Sequence, residues 1–432
     1  MSEIVLMWVG IAILLATVYL LIKRYDTRTV LIGSGLLMCI IALNPLGAFD
    51  AFTKQMTNGG LIQSICSSMG FAFVMKYTRC DAHLVKLMTS FMAKLGLLLV
   101  PLTVFITFFI SIAIPSAAGV SAAVGATLIP LLIASRIHPA IAAASIISGT
   151  LGAVLSPGVA HNVQIAGYAH LEVMDFVLLH APIALICCAI GAVSLTFVTL
   201  LRKEYKLSPE AISQAQEFKV GANLQQNSDF KPNVIYALMP FVPVILLVAS
   251  SFGFLGQVKL TVPASMLSGS ILALLITRSD PKSVTNEFFN GMGSAYASIL
   301  GIIIAAAVFI EGLTACGLIQ RFIDLLIAEP EFARWGGSLG PFIMGAVTGT
   351  GDATAFAFNQ AVTSQAETIG LVPSHLGSGA MYSAILGRNM SPLAGAAIVC
   401  AGLAGINPIE IIKRTAPGMI LGMLFIALFW IV

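Results

Sequence analysis

Apolar residues fall in runs of fifteen to thirty along nearly the whole chain, parted by short polar intervals: 4–22, 28–44, 60–77, 95–113, 119–134, 139–167 and 176–201 in the first half. About twenty apolar residues wound as a helix span the roughly 30 Å of a bilayer's hydrocarbon. A membrane barrel would instead show strict apolar-polar alternation, which these runs lack. The pattern predicts an all-α polytopic membrane protein. The first run, Ile4–Ile22, has no small-residue cleavage pattern before Lys23-Arg24, so it is expected to be a retained helix. One long polar segment, 203–232, interrupts the series and is expected to be a cytoplasmic linker between a first half, 1–202, and a second, 233–432.

The halves repeat. At an offset of 235, "SGTLGAVLSPGVAHNVQIAG" (148–167) lies against "SAILGRNMSPLAGAAIVCAG" (383–402), with Ser156-Pro157 matching Ser391-Pro392. Runs 4–22 and 28–43 fall on 239–257 and 263–278 at the same offset. Whole-half repeats mark many secondary transporters. Each half then contains three spans, an amphipathic connector (Asp81–Ala93; Leu318–Ala328), two apolar arms meeting at a polar tip, a span broken at Ser-Pro, and a last span. The second half comprises spans 234–252, 261–277 and 293–312, arms 338–347 and 354–368, broken span 374–403 and last span 410–431.

The second-half arms are short for a crossing, which suggests a re-entrant hairpin and leaves five transmembrane helices per half. Five is odd, so the second repeat is inverted in the membrane. Lys and Arg positions favour that arrangement. With both termini periplasmic, every basic residue falls inside except Lys54, Lys259, Arg321 and Arg334, which fall outside, and Arg388, which lies within a span.

Composition adds exclusions. Only 9% of the 432 residues are charged while 58% are hydrophobic, and mean hydropathy is +0.97. The seven cysteines form no CxxC pair and sit mostly in apolar runs, so they are expected to be small hydrophobes. No basic aromatic cluster suggests nucleic acid, and nothing asks for an organic cofactor.

Chemistry concentrates at the tips and breaks, where backbone groups lack intrahelical partners and need a protein-lined or watery site. Free helix N-termini suit carboxylates and unwound carbonyls suit cations. In "TGTGDAT", Asp352 is a charge costing about 2.5–3.5 kcal/mol near mid-bilayer unless it binds something. It is expected to hold a coupling ion with Thr354, either a proton or sodium, or to pair with Arg388. A helix cap is the plainer alternative. Thr348 and Thr350 supply hydroxyls. Arg388, in "LGRNMSPL", is suited to grip a carboxylate through two parallel hydrogen bonds, and its equivalent in the first half is Ala153. Asn389 and Ser391 adjoin it. In the first half the candidates are Ser116 at the tip, followed by Ser111 and Ser121, then Ser156, His161 and Asn162 at the break. Glu311, Lys76 and Asn44 are expected to mark membrane interfaces or weak sites.

The paired hairpins and "IAAASIISGTLGAVLSPGVAHN" resemble the ion transporter superfamily. "SIAIPSAAGVSAAVGATLIPLL" and "TGTGDATAFAFNQA" resemble its DcuC branch, the anaerobic four-carbon dicarboxylate carriers. The resemblance implies exchange or efflux of succinate against fumarate, malate or aspartate across the bacterial inner membrane. It also implies an elevator mechanism, with a homodimeric scaffold (4–77, 176–201, 234–312, 410–431) and a sliding transport unit (95–167, 338–403). The Ser-Asn-Thr tips common in the superfamily are absent, so sodium sites do not carry over directly. A carrier of another organic anion, such as a monocarboxylate or amino acid conjugate, is the near alternative. A membrane-embedded enzyme would want a second intramembrane aspartate or an H-E-x-x-H motif, and neither is present.

Overall fold

The computed structural model describes all residues except 1–2, 24, 90–95, 216–230, 252–253, 256–257, 259, 322–329 and 432. Among the described residues every regular element is helical. The first half contains α1 (Glu3–Ile22), α2 (Thr27–Ile41), α3 (Pro45–Met56), α4 (Gly59–Tyr77), α5 (Cys80–Thr89), α6 (Leu99–Ala113) and α7 (Ala117–Ala134). It continues with α8 (Pro139–Gly149), α9 (Ala160–Tyr168) and α10 (Val173–Leu201), and α11 (Pro209–Ala215) lies in the linker. The second half contains α12 (Val234–Leu238), α13 (Val242–Ser251), α14 (Val262–Thr277), α15 (Pro281–Ala295), α16 (Gly301–Ala315) and α17 (Pro330–Thr348). It ends with α18 (Gly351–Ala361), α19 (Pro373–Asn389), α20 (Gly395–Ala404) and α21 (Pro408–Phe429).

Local chemistry sets many of these boundaries. Proline occupies the first turn of α3, α8, α14, α15, α19 and α21, where its missing N–H costs nothing. Asn44, Asp280 and Asn407 accept from backbone N–H groups at the starts of α3, α15 and α21. Those caps explain two departures from the apolar-run reading. Helix α3 forms where a loop was expected, because Asn44-Pro45 starts it. The span expected at 293–312 begins at Pro281 and runs on through a π-turn, Tyr296–Leu300, to Ala315. A third departure is the span 234–252. It divides into α12, a 3-10 turn at Met239–Phe241 and α13, where Pro240 and Pro243 remove backbone donors. Connector residues 90–93 and 322–328 lie outside the described residues.

Both Ser-Pro breaks form. Helix α8 passes into a 3-10 segment, Thr150–Leu155, before Ser156-Pro157, and α9 resumes at Ala160 with a bend of 44°. Helix α19 ends at Asn389, before Ser391-Pro392, and α20 starts at Gly395. Glycines in each half let each broken helix press against the first arm of its hairpin, most closely at Gly152 and Gly387. A methyl on Gly152 would lie 1.9 Å from the Phe108 carbonyl oxygen, and one on Gly387 would lie 2.0 Å from that of Phe342. Small residues allow such close backbone approach between membrane helices.

The largest apolar core is shared by α6–α10 and α17–α21 and includes Phe108, Leu128, Ile146, Ile183, Tyr382 and Met419. Smaller cores join α4 to α13–α14, and α2 to α16. The last helices, α10 and α21, grouped with the opening spans on sequence grounds, thus pack in the same core as the broken helices. Buried Arg414 in α21 reinforces this packing by gripping Glu204, just after α10, through Nε at 2.8 Å and also through Nη2. By length and composition, four helical stretches among the described residues can cross a membrane: Gly96–Ala113, Ala117–Ala134, Val173–Leu201 and Pro408–Phe429. The bent pair 139–155 and 160–168 makes a fifth.

Candidate substrate and coupling site

The second tip, 349–350, turns through Gly349 at φ +72°, where a side chain would be strained and a methyl would meet the Ala394 nitrogen at 2.9 Å. The first tip also reaches the second break, since a methyl on Gly395 would lie 3.9 Å from the Ala118 methyl. Both tips therefore end beside residues 393–395, with Ser116 and Thr350 still exposed.

Asp352 lies in the first turn of α18. The cap position is held by Thr350, so the plain capping role foreseen for the aspartate does not apply. Its side chain is 63% exposed, and Oδ1 accepts from His161 Nε2 at 3.1 Å. The partner is therefore a histidine of the first break, not Arg388. The His161 ring is buried, stacks on Phe356 with centroids 4.0 Å apart, and leaves Nδ1 without a partner. Phe356 is one turn beyond Asp352 on α18, so one helix supplies both contacts.

Arg388, in the last turn of α19, is buried, with its Cβ close behind Gly351 at the start of α18. Its guanidinium donates to Asn389 Oδ1 at 3.1 Å and to Thr150 Oγ1 at 3.3 Å. No carboxylate of the described residues lies within ion-pair distance of it. Asn389 Nδ2 is buried with no partner. A guanidinium held only by neutral acceptors, beside an orphan amide donor, is an arrangement that accepts a carboxylate.

The other sequence candidates divide. Thr348, Thr350 and Thr354 line a cavity of about 550 Å³ between α1–α2 and the second hairpin, with Tyr25, Asp26 and Phe309. Thr348 and Thr350 hydroxyls are 3.0 Å apart, and Thr354 donates to the Thr350 carbonyl. Ser116 is exposed and caps α7 by accepting from Gly119 N at 3.2 Å, and Ser391 Oγ accepts from Leu393 N. Neither hydroxyl bonds the Arg388 guanidinium, although the Ser391 N–H donates to the Arg388 carbonyl at 2.9 Å. Asn162 is buried and spends both amide hydrogens on the carbonyls of Val154 and Ser156, at 2.7 and 3.0 Å. Glu311 and Asn44 line a second cavity, about 520 Å³, with Lys54, Tyr168 and Gln360. No group of three or more His, Cys, Asp or Glu that could hold a metal ion occurs among the described residues.

Sequence reasoning passed over Thr150, which contacts both Arg388 and Asn389. It also passed over His180 and Tyr382, whose ring nitrogen and hydroxyl meet at 2.6 Å inside the core. The available signal was polarity within an apolar run: His180 is the sole histidine of its span.

Comparison with known proteins gives the family. A transporter of Haemophilus influenzae with no assigned function is 44% identical over 285 residues, covering 64% of this chain and 99% of that protein. The anaerobic C4-dicarboxylate transporter DcuC of Escherichia coli K12 is 26% identical over 97% of this chain and 94% of its own. A probable namesake from Vibrio cholerae is 25% identical over 96% of this chain and 95% of its own. The profile of the C4-dicarboxylate anaerobic carriers matches residues 48–432, and this multi-pass membrane protein, a transporter and not an enzyme, belongs to that DcuC family.

Proposed function

We propose that the protein is a secondary carrier of small dicarboxylates in the bacterial inner membrane, exchanging or releasing four-carbon acids such as succinate, fumarate, malate or aspartate. The observation that carries this reading is the buried Arg388 with no carboxylate partner, next to the unpartnered Asn389 amide. Arg388, Asn389 and Thr150 grip one carboxylate, and Thr348 and Thr350 meet the far end of the substrate from the second tip. The His161–Asp352 pair carries the coupling charge, and Thr354 stands one turn along. A proton suits it better than sodium, because one Asp352 oxygen is already engaged by a ring nitrogen.

The two halves act as inverted repeats, each with five crossings and one hairpin. The unit that slides contains the hairpins and the broken helices, and α10 and α21 travel with it because they share its core. The remaining helices form a fixed, dimeric scaffold. The cavity at Thr348–Thr354 is lined by Tyr25 and Asp26, which the distribution of Lys and Arg assigns to the cytoplasmic side, so this conformation faces inward.

Counterflow in proteoliposomes tests the reading. Vesicles loaded with unlabelled succinate should take up labelled fumarate or succinate saturably, and Arg388→Ala should abolish uptake. Asp352→Asn should keep exchange but lose uptake driven by a proton gradient; retention of sodium-driven uptake instead would reassign the ion. One guanidinium facing one carboxylate also suits a monocarboxylate or amino acid conjugate. Counterflow with those and none with dicarboxylates would replace the substrate class.

A further inference from the structure

Each helix break leaves carbonyl groups that no helix satisfies, and in a membrane these would ordinarily be served by water or a coupling cation. Here side chains serve them. At the first break, Asn162 Nδ2 donates to the Val154 and Ser156 carbonyls. With both its hydrogens committed, Asn162 has only Oδ1 to offer, and this must accept from His180 Nε2–H at 3.3 Å. That leaves His180 Nδ1 as the acceptor of the Tyr382 hydroxyl at 2.6 Å. The chain Tyr382–His180–Asn162 is fully buried and spans α19, α10 and α9. At the second break, Thr415 of α21 donates directly to the Asn389 carbonyl at 3.1 Å. Residues 154 and 389 are separated by 235 positions, and so are 180 and 415. The same position of the last helix thus bears on the equivalent carbonyl in each half, directly through Thr415 in the second and by way of Asn162 in the first.

We propose that Asn162, His180 and Tyr382 in the first half, and Thr415 in the second, are positioning residues that set the two breaks and so place the binding groups. Asn162 adjoins His161, so fixing the first turn of α9 aims the His161 ring at Asp352. Thr415 fixes the backbone of Asn389, whose side chain receives Arg388. None of the four needs to touch substrate. The consequence for transport rests on the carrier reading above; the capping itself does not.

The test uses the full chain in nanodiscs and proteoliposomes, with Asn162→Ala, Tyr382→Phe, Thr415→Val and Thr415→Ser. Hydrogen-exchange mass spectrometry should show faster exchange confined to 150–165 in Asn162→Ala and Tyr382→Phe, and to 388–396 in Thr415→Val. In dicarboxylate counterflow the same three variants should raise KM about tenfold, the cost of stranding one buried polar group, with the maximal rate within about threefold. Thr415→Ser, which keeps the hydroxyl, should restore both readouts. Should Asn162→Ala fail to fold, Tyr382→Phe and the two Thr415 variants decide alone. Unchanged local exchange, faster exchange throughout the molecule, or lowered thermal stability with unaltered KM would each overturn the proposal. If the wild type shows no dicarboxylate counterflow, the substrate reading falls, and local exchange still decides whether these side chains set the breaks.

Discussion

The two helix breaks share a Ser-Pro core but differ in what their side chains leave unfinished. The first is neutral and closed: Ala153 stands where the second has Arg388, and the Asn162 amide is fully engaged. The second is charged and unfinished, with a buried guanidinium that has no carboxylate partner among the described residues and an Asn389 amide nitrogen lacking an acceptor. Two matching Ser-Pro sequences therefore carry unequal labour. The first half supplies shape, together with the ring of His161, while the second supplies the charges Arg388 and Asp352.

The features common to both breaks should be the least tolerant of change. Adding a methyl at Gly152 or Gly387 drives it to about 2 Å from a carbonyl oxygen in a helix that cannot yield without the hairpin moving. Overpacking of this kind costs about 1–3 kcal/mol, and more against backbone. Gly152→Ala and Gly387→Ala should both lower the apparent Tm and the yield of folded protein in detergent, by similar amounts. If only one is damaging, the two interfaces are not equivalent.

Next in size is the charge itself. Arg388→Lys keeps the sign but loses the fork that now reaches Asn389 and Thr150 together. Transport efficiency, kcat/KM for exchange, should fall about a hundredfold, in line with the roughly 2–5 kcal/mol seen on disturbing buried charged contacts. A variant with near-normal efficiency would show that a point charge suffices and that the break does not read carboxylate geometry.

Thr150 tests how far the first half enters the proposed anion site. It lies in the 3-10 segment before the first break, yet its hydroxyl contacts Arg388 and Asn389 of the second. At 3.3 Å both contacts are long, so Thr150→Val should raise KM about three- to tenfold and leave folding intact. No change in KM would confine the anion site to the second half.

The legibility of these features in the sequence follows their range. Ser156-Pro157 and Ser391-Pro392 were readable because proline acts on its own backbone, and Asp352 and Arg388 because a charge in an apolar run is conspicuous alone. The His161–Asp352 bond joins residues 191 positions apart, and the same holds for Arg388 with Thr150 at 238. No spacing rule links such residues, so the sequence offered Arg388 or a coupling ion for Asp352 and gave no sign of the hydrogen bond from His161. Helix α3 escaped because its start is written in a cap, Asn44-Pro45, rather than in hydropathy. The packing of α10 and α21 escaped because both are apolar on most faces, which leaves no stripe to point at a partner.

The smallest effect is expected at the first tip. Ser116 holds the cap position of α7, as Thr350 does for α18 two residues before Asp352, and Ser116 Oγ is occupied with Gly119 N. Removing such a cap costs about 1 kcal/mol of local stability. Ser116→Ala should therefore fray the start of α7, visible as faster hydrogen exchange at 117–120, and shift exchange KM by less than twofold. The contrast with Asp352→Asn would then be complete, since one tip residue caps a helix and the other pairs with His161 across the halves. A tenfold rise in KM in Ser116→Ala would instead bring the first tip into the substrate site, and the unequal labour inferred for the two halves would give way to a site built from both tips.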